Sequence, residues 1–464
     1  MEGGVFNLAA QYNAGCTIGE EGGIGIFSQI AGEVNIPESA LYVGYGSNVF
    51  AEWFVGGGTT TVRGVEMPKK GTYSGVHSGI TVSGEGSEIV LVNSQSKVLM
   101  GGYTSASASA IDNTYLANVI DGGTIAFPAD GFARSGSHQE SDMAYVNLNG
   151  GTLRFNATYS VSAFGDSIGA ETGVDRVFVY SKGATIDIAN GNGRVTVKTP
   201  IRGAFGGGVK SVLWTEPQVG LVGAPKVRIV GDGEGASALA VYDTTLGKVT
   251  QVVVTSPGCG YTWAKAVFHV NSLTRTCAKV WTNEVEIAEN ACDGGLIKTG
   301  AGTLDLYAVS TYKGPTVIRQ GQIVLWDDNR IDPASKLVLA GGTFYMANHK
   351  QTFSDIDTTS GTISNGKPTV TGLVIDLEEA KAGHVRELDM GMFTYAPGAA
   401  VRIEGDVSAL PEGRYVLARF ANGVPAEALD ISAAAATLPE NWKLKFVGNT
   451  LVLRSTQGMM LIVR

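Results

Sequence analysis

The chain has 464 residues, 64 of them glycine, about twice ordinary usage, and without the Gly-X-Y period of collagen. Hydrophobic residues make up 44% and charged residues 17%, which is too apolar for a disordered chain. With 34 basic against 43 acidic residues the formal charge is −9; this argues against a general nucleic-acid or anionic-membrane binder and leaves uncharged glycans and proteins as open partners.

The first residues, MEGGVFNLAAQYNAGC, carry neither a basic n-region nor a long apolar h-region, so no secretory signal is visible, and the numbering is compatible with a start inside a longer precursor. No window approaches about 18 consecutive apolar residues, so no spanning helix is expected, and nothing resembles a lipidation signal.

Helical periodicity is nearly absent, whereas short alternating runs separated by Gly, Asn, Asp or Ser recur throughout. SEIVLV (87–92), TIAF (124–127), TLRF (152–155), TIDI (185–188), RVTVK (194–198) and KLVL (336–339) read as short strands, which makes the chain all-β. A common grammar links DGGTIAF (121–127), NGGTLRF (149–155), KGATIDI (182–188) and AGGTFYM (340–346), whose leading glycines are 28, 33 and 158 residues apart. Such irregular repetition suits a β-solenoid, where each coil adds short strands with one face inward and Gly supplies the positive φ of the tight turns. A sandwich would need longer strands at more regular spacing.

Residues 224–270 run Pro-x-Val-x-Ile from Pro225 to Ile229, then Gly233, Gly235, Ala236, Ala238 and Ala240, then Gly247 and Val249, then Val252, Val254, Gly258, Gly260 and Tyr261. This pattern resembles a small β-repeat of bacterial surface and phage tail proteins, with Glu234 and the missing Pro after Tyr261 as departures. The resemblance implies a structural module: alternate Ala allow close packing and the glycines make turns.

At 294–330 the matching residues are Leu296, Lys298, Thr299, Gly300, Gly302, Thr303, Leu304, Leu306, Thr311, Tyr312, Gly314, Thr316, Val317 and Gly321. They closely resemble the autotransporter-associated β-strand repeat, with departures at Ser310, Pro315 and Gln322 that leave the alternation intact. The resemblance implies a right-handed parallel β-helix in an exported, surface-displayed bacterial protein. Strand alternation then predicts Leu304 and Leu306 inside the coil, Asp305 outward, and Lys298 and Thr299 at the coil's edge.

The tail from about 361 to 464 holds YAPGAAVRI (395–403), GRYVLARF (413–420) and NWKLKFVGNTLVL (441–453), the last a hairpin around Gly448 and Asn449. It resembles the end of passenger regions, where a β-helix is closed off and its edge kept from pairing with another chain. No run of amphipathic barrel strands follows, so either secretion takes another route or this is only the passenger part; the final MMLIVR is too short to anchor. The expected organisation is a Gly-rich β-helix at 1–212, a small module at 213–280, repeat coils at 281–360 and a C-terminal β cap at 361–464.

Chemistry-bearing residues are sparse. Cys259, Cys277 and Cys292 cluster and Cys16 is remote; lacking CxxC pairs or a spaced His they read as buried thiols, or as one disulfide among the three if the protein is exported. His77, His138, His269, His349 and His384 are isolated in sequence, and no zinc, nucleophile-elbow or phosphate-loop motif occurs. GDGEG (231–235) has no βαβ context and reads as a turn; its Asp232 and Glu234, like Asp327, Asp328 and Asp332, fit no calcium-loop pattern and read as solvated turns. On a β-helix enzyme, Asp187 with Arg194 or Asp305 with Arg319 would be the carboxylate clusters to consider; outward charge more often only solubilises. Trp53, Trp214, Trp263, Trp281, Trp326 and Trp442 stack on sugars if exposed, although burial is commoner for so large a ring. No catalytic, cofactor-binding or metal residue is assigned and no cofactor is expected. The reading is a non-enzymatic surface or secreted stalk or adhesin presenting loops to glycans or cell-surface proteins. The alternatives are an extracellular polysaccharide lyase or hydrolase on the same scaffold, or a phage tail fibre component. Ligand, secretion route and oligomeric state stay open.

Overall fold

The computed structural model describes residues 1–7, 15–69, 73–94, 96–101, 112–134, 142–165, 173–214, 221, 223–271, 277–423 and 428–456. His138, the side chain of Cys277 and the C-terminal MMLIVR lie outside what is described. The chain divides into two compact units, Met1–Gly314 and Pro315–Arg464. Among the described residues, regular structure is β apart from the short helices Leu377–Lys381 and Ser432–Ala436 and the 3-10 turn Val407–Ala409.

In the first unit, seven strands form one parallel sheet in the order Ile24–Gln29, Phe50–Val55, His77–Ser83, Asn113–Ile120, Asp142–Asn149, Arg176–Val179 and Ile201–Gly203. After each of the first six visits the chain turns into a second set of parallel ladders. Thr124–Phe127 lies on Glu88–Leu91, Gly151–Phe155 on Thr124–Phe127, Ala184–Ile188 on Gly151–Phe155, and Leu296–Thr299 on Ala184–Ile188. Ser160–Ser162, Arg194–Val197 and Thr303–Leu306 stack likewise.

This register explains the repeat grammar. Thr124, Thr152 and Thr185 are successive partners, as are Ile125, Leu153 and Ile186, and Phe127, Phe155 and Ile188. The last two rows are wholly buried, and the Phe127 and Phe155 rings stack 5.2 Å apart. Burying each such side chain stabilises by roughly 1.5–3 kcal/mol. The glycine pairs ahead of Thr124 and Thr152 have two separate jobs, seen at Gly150 and Gly151; ahead of Thr185 only the first is glycine, Gly183, and Ala184 takes the second place. Gly150 turns the chain at φ 83°. A Cβ on Gly151 would lie 2.4 Å from the Val119 carbonyl oxygen of the neighbouring strand. Leu304 and Leu306 are buried, as the alternation predicts. Lys298 is not at an edge: it is fully buried, and its Nζ donates to the carbonyls of Thr299 and, at 2.7 Å, Gly300. The carbonyls of a tight corner need donors, and the lysine stem reaches them.

Between Ile201–Gly203 and Leu296–Thr299 the chain makes a six-stranded antiparallel sheet. Its order is Gly207–Val212, Cys277–Glu289, Ala264–Asn271, Lys226–Gly231, Ser237–Asp243 and Lys248–Ser256. Val227, Ala238, Ala240, Val249, Ala266 and Phe268 form its core, with Trp214 and Trp281 packed against it. The module is thus inserted between two strands, Ala184–Ile188 and Leu296–Thr299, that pair directly.

The second unit begins with parallel pairing of Thr316–Ile318 and Gln322–Leu325 on Lys336–Tyr345, which in turn pairs with Asp355–Ser364. It ends in an antiparallel arrangement: Trp442–Val447 and Thr450–Ser455 form the expected hairpin, and the latter pairs with Arg414–Ala421.

Candidate binding cleft

The central strands of the seven-stranded sheet, Phe50–Val55, His77–Ser83, Asn113–Ile120 and Asp142–Asn149, are buried at most positions of both faces, a situation in which a polar side chain must find a partner. Trp53, Ile80, Ala117, Val146 and Val177 form one apolar row across it, all fully buried. On the alternate face the row Thr81, Asn118, Asn147 meets the inserted module. Thr81 Oγ1 donates to Glu52 Oε1 at 3.3 Å, and Asn118 Nδ2 donates to Thr81 Oγ1 at 3.0 Å and Ser237 Oγ at 3.1 Å. Asn147 Nδ2 donates to Asn118 Oδ1 at 2.9 Å and to the Gly235 carbonyl at 3.1 Å. Tyr180 OH donates to Asn147 Oδ1 at 3.4 Å and accepts from Ser256 Oγ at 3.2 Å. At the far end Lys226 Nζ donates to Glu52 Oε2, with side chains only 8% and 6% exposed. Burial pulls the Lys226 ammonium down to about 7. Glu52 lies over Gly79, where a Cβ would come 2.3 Å from its Oε2.

Beside this ladder the sheet and the module leave a cleft of about 260 Å³. His77, Leu116, Met143 and Tyr145 line it from the sheet, and Arg228, Ile229, Glu234 and the glycines 231, 233 and 235 from the module. Two ion pairs border it: Arg228 to Asp112 at 2.8 Å and Arg176 to Glu234 at 3.3 Å, with Tyr145 OH donating to Glu234 Oε2 at 3.4 Å. Burial pulls the His77 imidazolium down to about 3; the Arg228 charge and His269 act in the same direction and Asp112 opposes them. His77 is therefore neutral at pH 7, with one ring nitrogen a donor and the other an acceptor. Burial likewise pushes the Tyr145 phenol well up.

The residues singled out in sequence are redistributed by the fold. His77 and His269, remote in sequence, both flank the Phe50 ring, at 4.8 and 4.3 Å. Asp187 pairs with Arg154 at 3.3 Å rather than with Arg194, because strand register sets Arg154 beside Asp187; Arg154 also holds Glu88 at 2.6 Å. Arg194 instead grips Asp305 by two bonds, at 2.6 and 3.0 Å, covering an aspartate that alternation sends outward; Arg319 belongs to the second unit. Asp232 is exposed and accepts from the amides of Thr262 at 2.9 Å and Trp263 at 3.1 Å and from the Thr262 hydroxyl; the hydroxyl bond is the largest of the effects that hold its carboxyl down at about 2. In the second unit Asp327, Asp328 and His349 bring ligand-type atoms within 4.8 Å of one another. Asp328 there accepts from the Lys350 amide and Asp332 from the Ala334 amide, both at 2.8 Å, as turn residues do. His384 is exposed.

Trp53 and Trp442 are buried, Trp214 and Trp281 pack on Phe268, and Trp263 and Trp326 are about half exposed. Cys16, Cys259 and Cys292 are free thiols, with Cys259 buried beside Tyr180, so neither Cys259 nor Cys292 takes part in the disulfide considered above. The cleft residues Asp112, Tyr145, Lys226 and Arg228, and the partners Glu52 and Arg176 beside them, were not singled out in sequence. The available signal was a charge inside the apolar strand FAEWFV (50–55). GDGEG (231–235), read as a solvated turn, supplies part of one wall.

No curated protein and no solved structure matches the chain. Residues 296–325 match the family model described as passenger-associated-transport-repeat. The resemblance drawn at 294–330, whose matching residues run from Leu296 to Gly321, overlaps that match, so this segment of the chain is a repeat of the autotransporter-passenger kind.

Proposed function

We propose that the chain is a right-handed parallel β-helix from the passenger region of a bacterial surface or secreted protein, working as a non-enzymatic stalk or adhesin. The observation that carries this reading is the register of the passenger repeat. Its strands Leu296–Thr299 and Thr303–Leu306 continue two parallel ladders built by Ala184–Ile188 and Arg194–Val197. Parallel crossover connections within a sheet are right-handed in nearly all proteins, which supports the hand. In such a stack each coil stabilises its neighbours, and a rigid rod that presents turns and insertions is the mechanical result. Support for a non-enzymatic role comes from the outward carboxylates on the ladders: Glu88 and Asp187 share Arg154, and Asp305 is closed by Arg194.

Two measurements test this. Placed between a secretion signal and an outer-membrane translocating barrel, the chain is expected at the surface of intact cells, read by antibody labelling and protease shaving; accumulation inside the cell overturns the passenger reading. Incubated with bacterial, algal and host polysaccharides, it is expected to release neither reducing ends nor unsaturated products. Turnover on any of them replaces the adhesin with a polysaccharide-degrading enzyme.

A further inference from the structure

We propose that the cleft between the seven-stranded sheet and the inserted module binds a single neutral sugar ring of a glycan. The inference rests on the adhesin reading for the class of ligand and on the cleft's own geometry for the site. A pyranose has an apolar C–H face and a girdle of hydroxyls, each able to donate and accept. The cleft matches that division: half-buried Leu116, Met143 and Ile229 offer apolar surface, and Asp112, Arg228 and Glu234 offer polar edges. Arg228 donates to Asp112 through Nη2, and a guanidinium has five N–H donors, so donors remain for a ligand. Neutral His77 adds a group of both kinds.

Charge and size narrow the ligand. Three cations, Arg176, Lys226 and Arg228, are each matched by an anion, Glu234, Glu52 and Asp112. An ionised sugar would enter without a counter-charge, whereas hydroxyls bridge such pairs without upsetting them. At about 260 Å³ the cleft is below the roughly 300–1,000 Å³ of drug-sized sites, which suits one ring rather than a chain segment. The glycine-rich wall is already set, because Asp232 ties it to the Thr262 and Trp263 amides, and a Cβ at Gly233 would meet the Tyr261 ring at 2.5 Å.

The test is saturation-transfer NMR on the whole chain with the methyl glycosides of glucose, galactose, mannose and N-acetylglucosamine, and with methyl glucuronide. Transfer is expected from at least one neutral glycoside and less from the glucuronide. Arg228→Ala and Glu234→Gln are each expected to weaken binding at least fivefold, and Arg194→Ala, on the outer ladder, to leave it unchanged. Met143→Trp, which fills the apolar side without touching an ion pair, provides a second route to the same loss if Arg228→Ala fails to fold. No transfer from any neutral glycoside, transfer that survives both Glu234→Gln and Met143→Trp, or preference for the glucuronide each overturns the inference. Surface display with a silent cleft overturns this inference alone and leaves the passenger reading standing.

Discussion

Within the first unit, the stacked coils and the inserted module differ in how they are held. The coils touch through rows of identical character: Ile125, Leu153 and Ile186 form one buried row, and Phe127, Phe155 and Ile188 the next. The module has a small core of its own around Phe268, yet its junction with the sheet runs through Glu52, Thr81, Asn118, Asn147 and Lys226. Apolar rows are non-directional and add up over many neighbours. A buried polar junction is directional, and a single lost partner leaves a desolvated group behind. The comparison teaches that this protein grows by burial and attaches its insertion by a buried hydrogen-bond ladder set beside apolar contacts such as His269 on Phe50 and Cys259 among Tyr145, Phe178 and Tyr180.

The largest effect that sharpens this contrast is Leu304→Asp, which sets an unpaired charge at a wholly buried coil position. A loss of at least about 4 kcal/mol is expected in denaturant unfolding. An unchanged midpoint would remove Leu304 from the interior.

At the junction, Glu52→Ala strands Lys226 and is expected to cost about 3 kcal/mol, while the pair Glu52→Leu with Lys226→Met should recover most of it, since an apolar pair avoids desolvating two charges. Failure of the double variant to recover would mean that the ion pair sets the docking geometry as well as the charge balance.

The pH dependence follows from His77. Its folded value of about 3 lies below the ordinary 6.5, so from pH 6.5 downwards the unfolded chain takes up a proton that the folded chain refuses. The His77 contribution to stability therefore falls as pH falls through this window, by about 2 kcal/mol between pH 7 and pH 5, while Asp142, whose carboxyl burial pushes up to about 6, opposes it. His77→Gln should flatten that part of the profile in thermal melts at stepped pH; an identical slope would show that the imidazole is not the group responsible.

Smaller still is Asn147→Ala, expected at about 1–2 kcal/mol because the Gly235 carbonyl and Asn118 Oδ1 lose their donor. Hydrogen exchange should report it as faster opening of the module with the coil strands unchanged. Equal acceleration in both would erase the distinction drawn here.

Much of the coil stack was legible in the chain. The runs at 124–127, 152–155 and 185–188 are strands Thr124–Phe127, Gly151–Phe155 and Ala184–Ile188, and the hairpin around Gly448 and Asn449 joins Trp442–Val447 to Thr450–Ser455. Period-two alternation and glycine turns are local properties, and they survive into the fold because every coil uses them in the same way. Pairings of charges were not legible. Asp187 meets Arg154 and Arg194 meets Asp305 because strand register decides which residue lies beside which. Lys298 was misjudged for a related reason: alternation reports which face a side chain leaves from, while the unmet carbonyls of the next corner decide where its end goes.

By itself the sequence determined an all-β chain, the repeated glycine–threonine turn into an apolar strand, the closing hairpin and the passenger repeat near residue 300, all written within stretches of a few dozen residues. Only the tertiary structure decided that the module enters between two strands that pair directly, that Lys226 meets Glu52 across 174 positions, and that a cleft opens beside them. Short-range order follows from backbone geometry and burial acting on neighbours. Those long-range meetings depend on coil lengths and strand registers accumulated along the stack, which no local pattern carries.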